Sequence, residues 1–324
     1  MLDVYSHYPH GLDHRRLGPD DPVPEEAVWL DLLNPDRAEE AAVERMLGID
    51  VPTREEMQEI EPSSRLYEGD GALFLTATVV SGADAEHPET TPVTFVLCGG
   101  RLATIRYATP RPFALFSAHA QRHPEHCRRG DVALFHLLDA IIDRAADVLE
   151  GVQADLDVIS RRAFGRRQDA TPHAAEIDFE AILKEIARIQ TLTSKARDSL
   201  VSLQRLLSFL LRPGQVDKGM SASFKVLVRD VQSLSDHASY LGGLIAFQLD
   251  ATLGMINIEQ NNIIKIFSIA AVIFLPPTLI ASIYGMNFEF MPELGWPWGY
   301  PAALGLMVAS VTVTWLLFRR KGWL

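Results

Sequence analysis

Along the chain, apolar and polar residues alternate in three successive ways. In residues 1–130 the runs AVWLDLL, GALFLTATVV and PVTFVLCGGRLATIRY are short and rich in Val, Ile, Thr, Phe and Leu, which predicts strands. Gly99-Gly100 splits the last of these and predicts a hairpin. A helical stretch, DRAEEAAVERMLGI, lies between the first two; Asn34 reads as its cap, with Pro35 at the first helical position. In residues 131–262 the period lengthens to that of a helix, with one segment from Asp131 to Phe164, a second ending before Arg212-Pro213-Gly214, and a third beginning near Val216. That third pattern meets no proline until Pro276; as one helix to Ile283 it is ~100 Å long at 1.5 Å per residue. A helix of that length cannot bury an apolar face alone and implies bundling or self-association.

In residues 263–324 the polar positions all but vanish. No charge occurs from Ile266 to Phe288, nor from Leu294 to Phe318. Both runs reach the roughly 20 residues that cross a bilayer, which favours spans over core helices. Spans are expected at about 264–284 and 299–318, with 285–298 as the loop between them. Lys265 precedes the first span, Arg319, Arg320 and Lys321 follow the second, and the loop has no basic residue. Positive charge therefore places both outer ends, and the large N-terminal part, in the cytoplasm, with the loop outside. Trp296, Trp298, Tyr300 and Trp323 stand near span ends, where interfacial aromatics belong.

Composition narrows the function. A formal charge of −12 argues against a nucleic-acid partner. The 2 cysteines, Cys98 and Cys127, supply neither a disulfide framework nor a four-ligand zinc set. The N-terminus lacks the apolar core of a signal peptide. Residues 1–262 contain no phosphate loop, nucleophile elbow or paired zinc motif, so no enzyme chemistry is expected.

Alternating steps of three and four along the first span select Asn257, Asn261, Ile264, Ser268, Ala271, Leu275, Thr278 and Ser282, a heptad seam that runs into the bilayer. Small and polar residues on one membrane face serve either tight helix packing or a water-facing lane, and the seam fits both. Two spans do not enclose a pore, but several copies in a ring do, each seam forming one wall. Asn257, Asn261 and Asn287 would then form amide rings, and Ile264, Phe267 and Leu275 apolar constrictions. Neutral amides suit Mg²⁺, which sheds its waters reluctantly. Glu289 and Glu293 would concentrate cations at the outer mouth. A membrane-anchored sensor that conducts nothing is the alternative; it leaves the polar seam without a role.

The segment Tyr284-Gly285-Met286-Asn287, followed by Met291-Pro292-Glu293-Leu294, resembles the signature of the CorA magnesium transporters. INIEQNNIIKIFSIAAVIFLPPTLIASIYGMNFEFMPELGWPWGYP is similar to that family's pore helix and loop throughout. WLDLLNP, GIDVPTREEMQEIEPSSRLYEGDGALFLTATVV and PVTFVLCGGRLATIRYATPRPF resemble its cytoplasmic domain. The resemblance implies an α/β cytoplasmic domain, a long helical stalk and two transmembrane helices per chain, in a funnel-shaped homopentameric channel of the bacterial inner membrane. It implies conduction of Mg²⁺, and often Co²⁺ and Ni²⁺, with closure by cytoplasmic Mg²⁺ bound to acidic residues between subunits. Carried over by motif, Tyr284, Gly285, Met286 and Asn287 form the selectivity entrance. Asn261, Ile264, Phe267, Leu275 and Thr278 match pore-facing positions. Arg319, Arg320 and Lys321 match a basic collar, cut short here by Gly322. The related ZntB branch usually carries Gly-Ile-Asn and is linked to zinc; Met286 favours the CorA branch. Asp230, Asp236 and Asp250, on the long helix, are the candidates for the regulatory ion.

Two histidine groups invite a metal reading and receive a plainer one. His7, His10 and His14 lack a fixed ligand spacing and are expected in a flexible tail. His123, His126 and Cys127 lack a second paired cluster and are expected in a solvated loop.

Overall fold

The computed structural model describes residues 1–18, 21–59, 61–85, 88–164, 178–287 and 291–322, with only the backbone at positions 62, 293 and 294. The strands are β1 (Leu2–Tyr8), β2 (Gly11–Leu17), β3 (Ala27–Leu33), β4 (Leu66–Gly69), β5 (Ala72–Ser81), β6 (Glu89–Cys98) and β7 (Arg101–Arg106). The helices are α1 (Arg37–Leu47), α2 (Arg54–Gln58), α3 (Pro62–Arg65), α4 (Arg111–Arg122), α5 (Gly130–Phe164), α6 (Phe179–Leu210), α7 (Lys218–Tyr284) and α8 (Gly299–Arg320), with 3-10 turns at Pro124–Cys127 and Pro292–Gly295. The chain divides into two compact units, Met1–Leu249 and Asp250–Leu324.

The first unit is built on one seven-stranded sheet in the order β2-β1-β3-β7-β6-β5-β4. The pair β3–β7 is parallel and every other pair is antiparallel. Successive strand residues point to opposite faces, and the sheet is apolar on both. Trp29, Leu73, Leu75, Ala77, Val79, Val93, Phe95 and Leu102 pack in the core that also holds apolar residues of α4, α5, α6 and α7. Leu30, Leu32, Phe74, Val96, Ala103 and Ile105 pack with Val43 of α1 and Met57 of α2. The result is an α/β/α layering. Gly99 and Gly100 have φ of 55° and 81°, which closes the β6–β7 hairpin as its sequence predicts. Gly130 starts α5 against this hairpin: its N–H donates to the Gly100 carbonyl at 2.7 Å. A Cβ on Gly130 would fall 2.3 Å from the Arg101 carbonyl carbon, so only glycine fits.

Three expectations need correction. The cap of α1 is Asp36, not Asn34: its carboxylate accepts from Ala38 and Glu39 N–H at 2.9 Å, and Glu39 returns a bond to the Asp36 N–H at 3.0 Å. An Asp with Glu three residues on satisfies two orphan donors at once, which Asn34 does not. Asn34 instead closes the sheet, its N–H donating to the Arg106 carbonyl at 2.9 Å. The N-terminal histidines lie in or beside a β-hairpin rather than a flexible tail. His14 stacks on Tyr5 at 4.5 Å, with Nε2 3.1 Å from Asp3 Oδ1. The segment around His123 is solvated only in part: His123 is exposed, but Pro124–Cys127 forms a 3-10 turn in which Cys127 is fully buried and His126 stacks on His136 of α5 at 3.7 Å.

Candidate functional site

The helix α7 is 67 residues long and contains Pro276 and Pro277. Neither proline has an N–H, so the carbonyls of Val272 and Ile273 lose their usual donors four residues on. The Thr278 hydroxyl donates to the next carbonyl, Phe274, at 2.7 Å. Side-chain bonding of this kind supports a proline-broken turn inside a membrane helix. α7 and α8 are both long and apolar enough to cross a membrane, and only 6% of the apolar window of each is buried. They are therefore not core helices of a soluble fold.

Exposure within the second unit is one-sided. On α7, Ile269, Ala270, Ile273, Pro276, Pro277, Ile280 and Tyr284 are covered or half-covered by the chain itself. The residues picked out by the heptad seam form a different set. Asn257, Asn261, Ile264, Ser268, Ala271, Leu275, Thr278 and Ser282 are all exposed, as is Phe267 beside them. Ile264 is 60% exposed, Phe267 72% and Leu275 69%. Large apolar side chains in that state need a neighbour that a single chain does not supply. On α8 the half-buried positions Gly299, Ala303, Met307, Ser310, Val311, Thr314 and Phe318 likewise fall on one stripe at helical spacing.

The helix ends at the signature segment. The Gly285 N–H donates to the Ala281 carbonyl at 2.9 Å and the Met286 N–H to the Ile283 carbonyl at 3.3 Å, which closes the last turn. A Cβ at Gly285 would lie 3.1 Å from that Ala281 oxygen, tight enough that the turn would have to give by a few tenths of an ångström. Asn287 follows, exposed and outside the helix. Glu289 lies outside the described residues, and only the backbone of Glu293 is described, in the 3-10 turn Pro292–Gly295. Arg319 and Arg320 occupy the last turn of α8, where cations complement the helix dipole, and Lys321 is its C-cap. The Arg319 guanidinium lies 5.2 Å from the Trp315 ring centre.

Asp230, Asp236 and Asp250 are all exposed on α7. Asp236 accepts from Gln232 at 3.1 Å. Asp230 faces a feature that reading α7 alone missed. On α5, burial and then the charges of Asp143 and Asp230 hold Asp139 above the usual carboxylate range; burial, Asp147 and Asp230 do the same to Asp143. The spacing of Asp139, Asp143 and Asp147 at four-residue steps was a legible sign of one acidic face. Among the described residues, no three acidic, histidine or cysteine side chains of one chain are arranged to hold a metal ion. A second feature was also missed: Tyr240 and Phe247, 59% and 67% exposed, lie on the seven-residue row of Asn261, Ser268, Leu275 and Ser282, with half-buried Gly254 between Phe247 and Asn261.

The profile of the CorA-like Mg²⁺ transporter protein family matches residues 24–320. The magnesium transport protein CorA of Escherichia coli strain K12 is 36% identical over 298 residues, covering 92% of each chain. CorA of Salmonella typhimurium strain LT2 is 36% identical over 299 residues, again covering 92% of each. Among solved structures, the complete CorA magnesium transporter of Methanocaldococcus jannaschii superposes with a TM-score of 0.78 at 21% identity, over 100% of this chain and 99% of that one. With a profile match across nearly its whole length and relatives of this identity, the chain belongs to the CorA-like Mg²⁺ transporter family.

Proposed function

We propose that this chain is a channel for Mg²⁺ uptake, formed by a ring of identical copies, expected to be five, in the bacterial inner membrane. The observation that carries the reading is the exposed seam of α7, which runs through an apolar span and ends at Gly285-Met286-Asn287. Residues 1–130 and 131–262 form the cytoplasmic domain and stalk, residues 263–324 the membrane part, and both termini are cytoplasmic. Each copy contributes one wall. Asn257, Asn261, Ser268, Ala271, Thr278 and Ser282 line the path with amides, hydroxyls and one methyl, while Ile264, Phe267 and Leu275 narrow it. The ion passes hydrated, because Mg²⁺ gives up its waters reluctantly and amide oxygens accept hydrogen bonds from those waters. Co²⁺ and Ni²⁺, which carry the same charge, are further substrates.

At the outer end the Asn287 side-chain oxygens form the filter, Gly285 permits the turn that presents them, and Met286 and Tyr284 hold the segment in place. Glu289 and Glu293 raise the local cation concentration without ligating the ion. Arg319, Arg320 and Lys321 form a collar on the cytoplasmic side, within reach of anionic lipid headgroups. Cytoplasmic Mg²⁺ closes the ring by bridging carboxylates of neighbouring copies, with Asp230, Asp236 and Asp250 as candidates. The repulsion already felt among Asp139, Asp143 and Asp230 supports Asp230 first, since a cation would relieve it.

The test is growth and Mg²⁺ uptake in cells that depend on this protein. Asn287→Ala is expected to abolish uptake while the oligomer, sized in detergent, stays intact. Normal growth of that strain at low Mg²⁺ would overturn the filter assignment.

A further inference from the structure

Most arginines placed against a neighbouring element in the first unit meet a carboxylate: Arg106 meets Asp31, Arg144 meets Asp84, Arg188 meets Asp155 and Arg162 meets Glu185. Two do not. A cleft of about 260 Å³ between α6 and strands β4 and β5 is lined by Arg65, Thr76, Thr78, Asp198, Ser202 and Arg205. Among the described residues, neither Arg65 nor Arg205 forms an ion pair. Arg65 is pinned in place: its Nε donates to the Glu59 carbonyl at 2.6 Å and its Nη1 to Thr78 Oγ1 at 3.1 Å. The Thr78 N–H in turn donates to Ser202 Oγ at 2.9 Å. Both hydroxyl oxygens thus act as acceptors, and among the described residues neither hydroxyl hydrogen is donated elsewhere.

The two guanidiniums also feel each other. Burial, and then the positive charge of Arg205, push the Arg65 guanidinium below its ordinary value. Placing two like charges at one cleft is costly in a chain with 42 acidic residues available to neutralise them. An anion that enters the cleft removes that cost and takes up the free donors.

We propose that this cleft binds an oxyanion of the phosphate class, either inorganic phosphate or the terminal phosphoryl group of a nucleotide, between Arg65 and Arg205 with the hydroxyls of Thr78 and Ser202. Arginine forks match phosphate oxygens in pairs, which gives the site its class. The volume lies below the roughly 300–1,000 Å³ of sites that enclose a drug-sized ligand, so a nucleoside would stay outside. Asp198, exposed at the rim, opposes the anion but leaves the cleft net positive.

The test uses the full chain in detergent with EDTA present, titrated with sodium phosphate or ATP against sodium chloride at equal ionic strength, and read by calorimetry and unfolding temperature. Phosphate is expected to bind and raise the unfolding temperature. Arg205→Ala, at an exposed position, should weaken binding by about tenfold or more, the scale of one lost charged hydrogen bond. Asp198→Asn should tighten it. ATP binding well above phosphate and lost in Arg205→Ala identifies the nucleotide as the source; equal binding identifies phosphate itself. Absence of binding by either anion, or binding unchanged by Arg205→Ala, overturns the proposal.

Discussion

Residues Met1–Leu249 and Asp250–Leu324 are both rich in large apolar side chains, yet they place them in opposite ways. In the first unit Trp29, Phe95, Phe116, Phe224 and their neighbours are sealed inside two cores. In the second, among the described residues, Ile269 is the only buried apolar side chain, while Phe267, Phe274, Leu275 and Val308 are more than 65% exposed. Burying one such side chain stabilises by about 1.5–3 kcal/mol. A handful left in water would exceed the roughly 5–15 kcal/mol net stability of an ordinary domain. The first unit thus seals most of its large apolar side chains within the chain, Tyr240 and Phe247 on α7 being exceptions, and the second is written for another medium: lipid on one side and, in the proposed ring, other copies of itself and a water-filled path.

The contrast is sharpest where the first unit closes on a charge. Asp31, 4% exposed, holds Arg106 through bonds of 2.7, 2.9 and 3.2 Å and accepts from Thr104 Oγ1 at 2.8 Å. Arg106 also donates to the Ala108 carbonyl at 2.8 Å and lies 4.6 Å from the Phe113 ring centre. Asp31→Ala leaves that guanidinium buried and unpaired, and is expected to cost about 3–5 kcal/mol of stability in denaturant unfolding. Replacing both partners by apolar residues, as in Asp31→Leu with Arg106→Met, should restore most of it. A single substitution costing under about 1 kcal/mol, the range of a surface pair, would mean the first unit is not sealed at this point.

Leu275 probes the other side of the comparison. It is 69% exposed within its own chain, so Leu275→Ala opens no cavity there. Unfolding of the first unit should change by no more than about 0.5 kcal/mol, as at an ordinary surface site. In the proposed ring, Mg²⁺ flux into liposomes should rise several-fold instead, because the apolar constriction assigned to Leu275 would be widened. A stability loss of about 2–5 kcal/mol with unchanged flux would return Leu275 to a self-packed core and erase the difference between the two units.

How much of this was legible follows from where each signal is stored. The spans and α7 were readable because an unbroken apolar run needs no partner to be recognised, and Gly99-Gly100 because a tight turn demands positive φ locally. The seam was readable as periodicity, and its residues from Asn257 to Ser282 are exposed, as are many off-seam neighbours such as Ile266 and Phe274. The N-terminal hairpin was not, since Asp3 and Ser6 in β1 and the charged run of β2 blur its alternation. The meeting of His126 with His136, or of Asp139 with Asp230, is a tertiary event between distant segments, and no local pattern announces it. What surrounds the seam is stored in no single chain at all.

The smallest expected break lies inside the first unit, where one group is crowded rather than satisfied. His136 stacks on His126 at 3.7 Å and meets Phe135 edge-on at 5.0 Å. His126 in turn shares a hydrogen bond with His119 at 2.9 Å, and His123 stacks on His119 at 4.6 Å. Arg122, Glu125, Asp139, Asp143, Arg144 and Asp147 are the charged groups around them. Burial, and then the neighbouring His126 and His119, push His136 down to about 4 against the partial opposition of Glu125. Its folded value lies below the ordinary 6.5, so on acidification the unfolded chain takes the proton first. The stability that depends on neutral His136 is full above about pH 6.5 and is lost as the pH falls towards 4. Because the ring is partly solvated, the loss is on the order of 1–2 kcal/mol rather than the full linkage value. Asp139 and Asp143, held above the usual carboxylate range, act in the opposite sense and gain stability on acidification. The comparison must therefore be made between wild type and His136→Gln, which keeps the carboxylates and removes the titration. Unfolding free energies across this range should fall more steeply with acid in the wild type. Parallel curves for the two proteins would show that the stacked histidines carry no penalty, and that the first unit accommodates charge at this cluster as freely as water does.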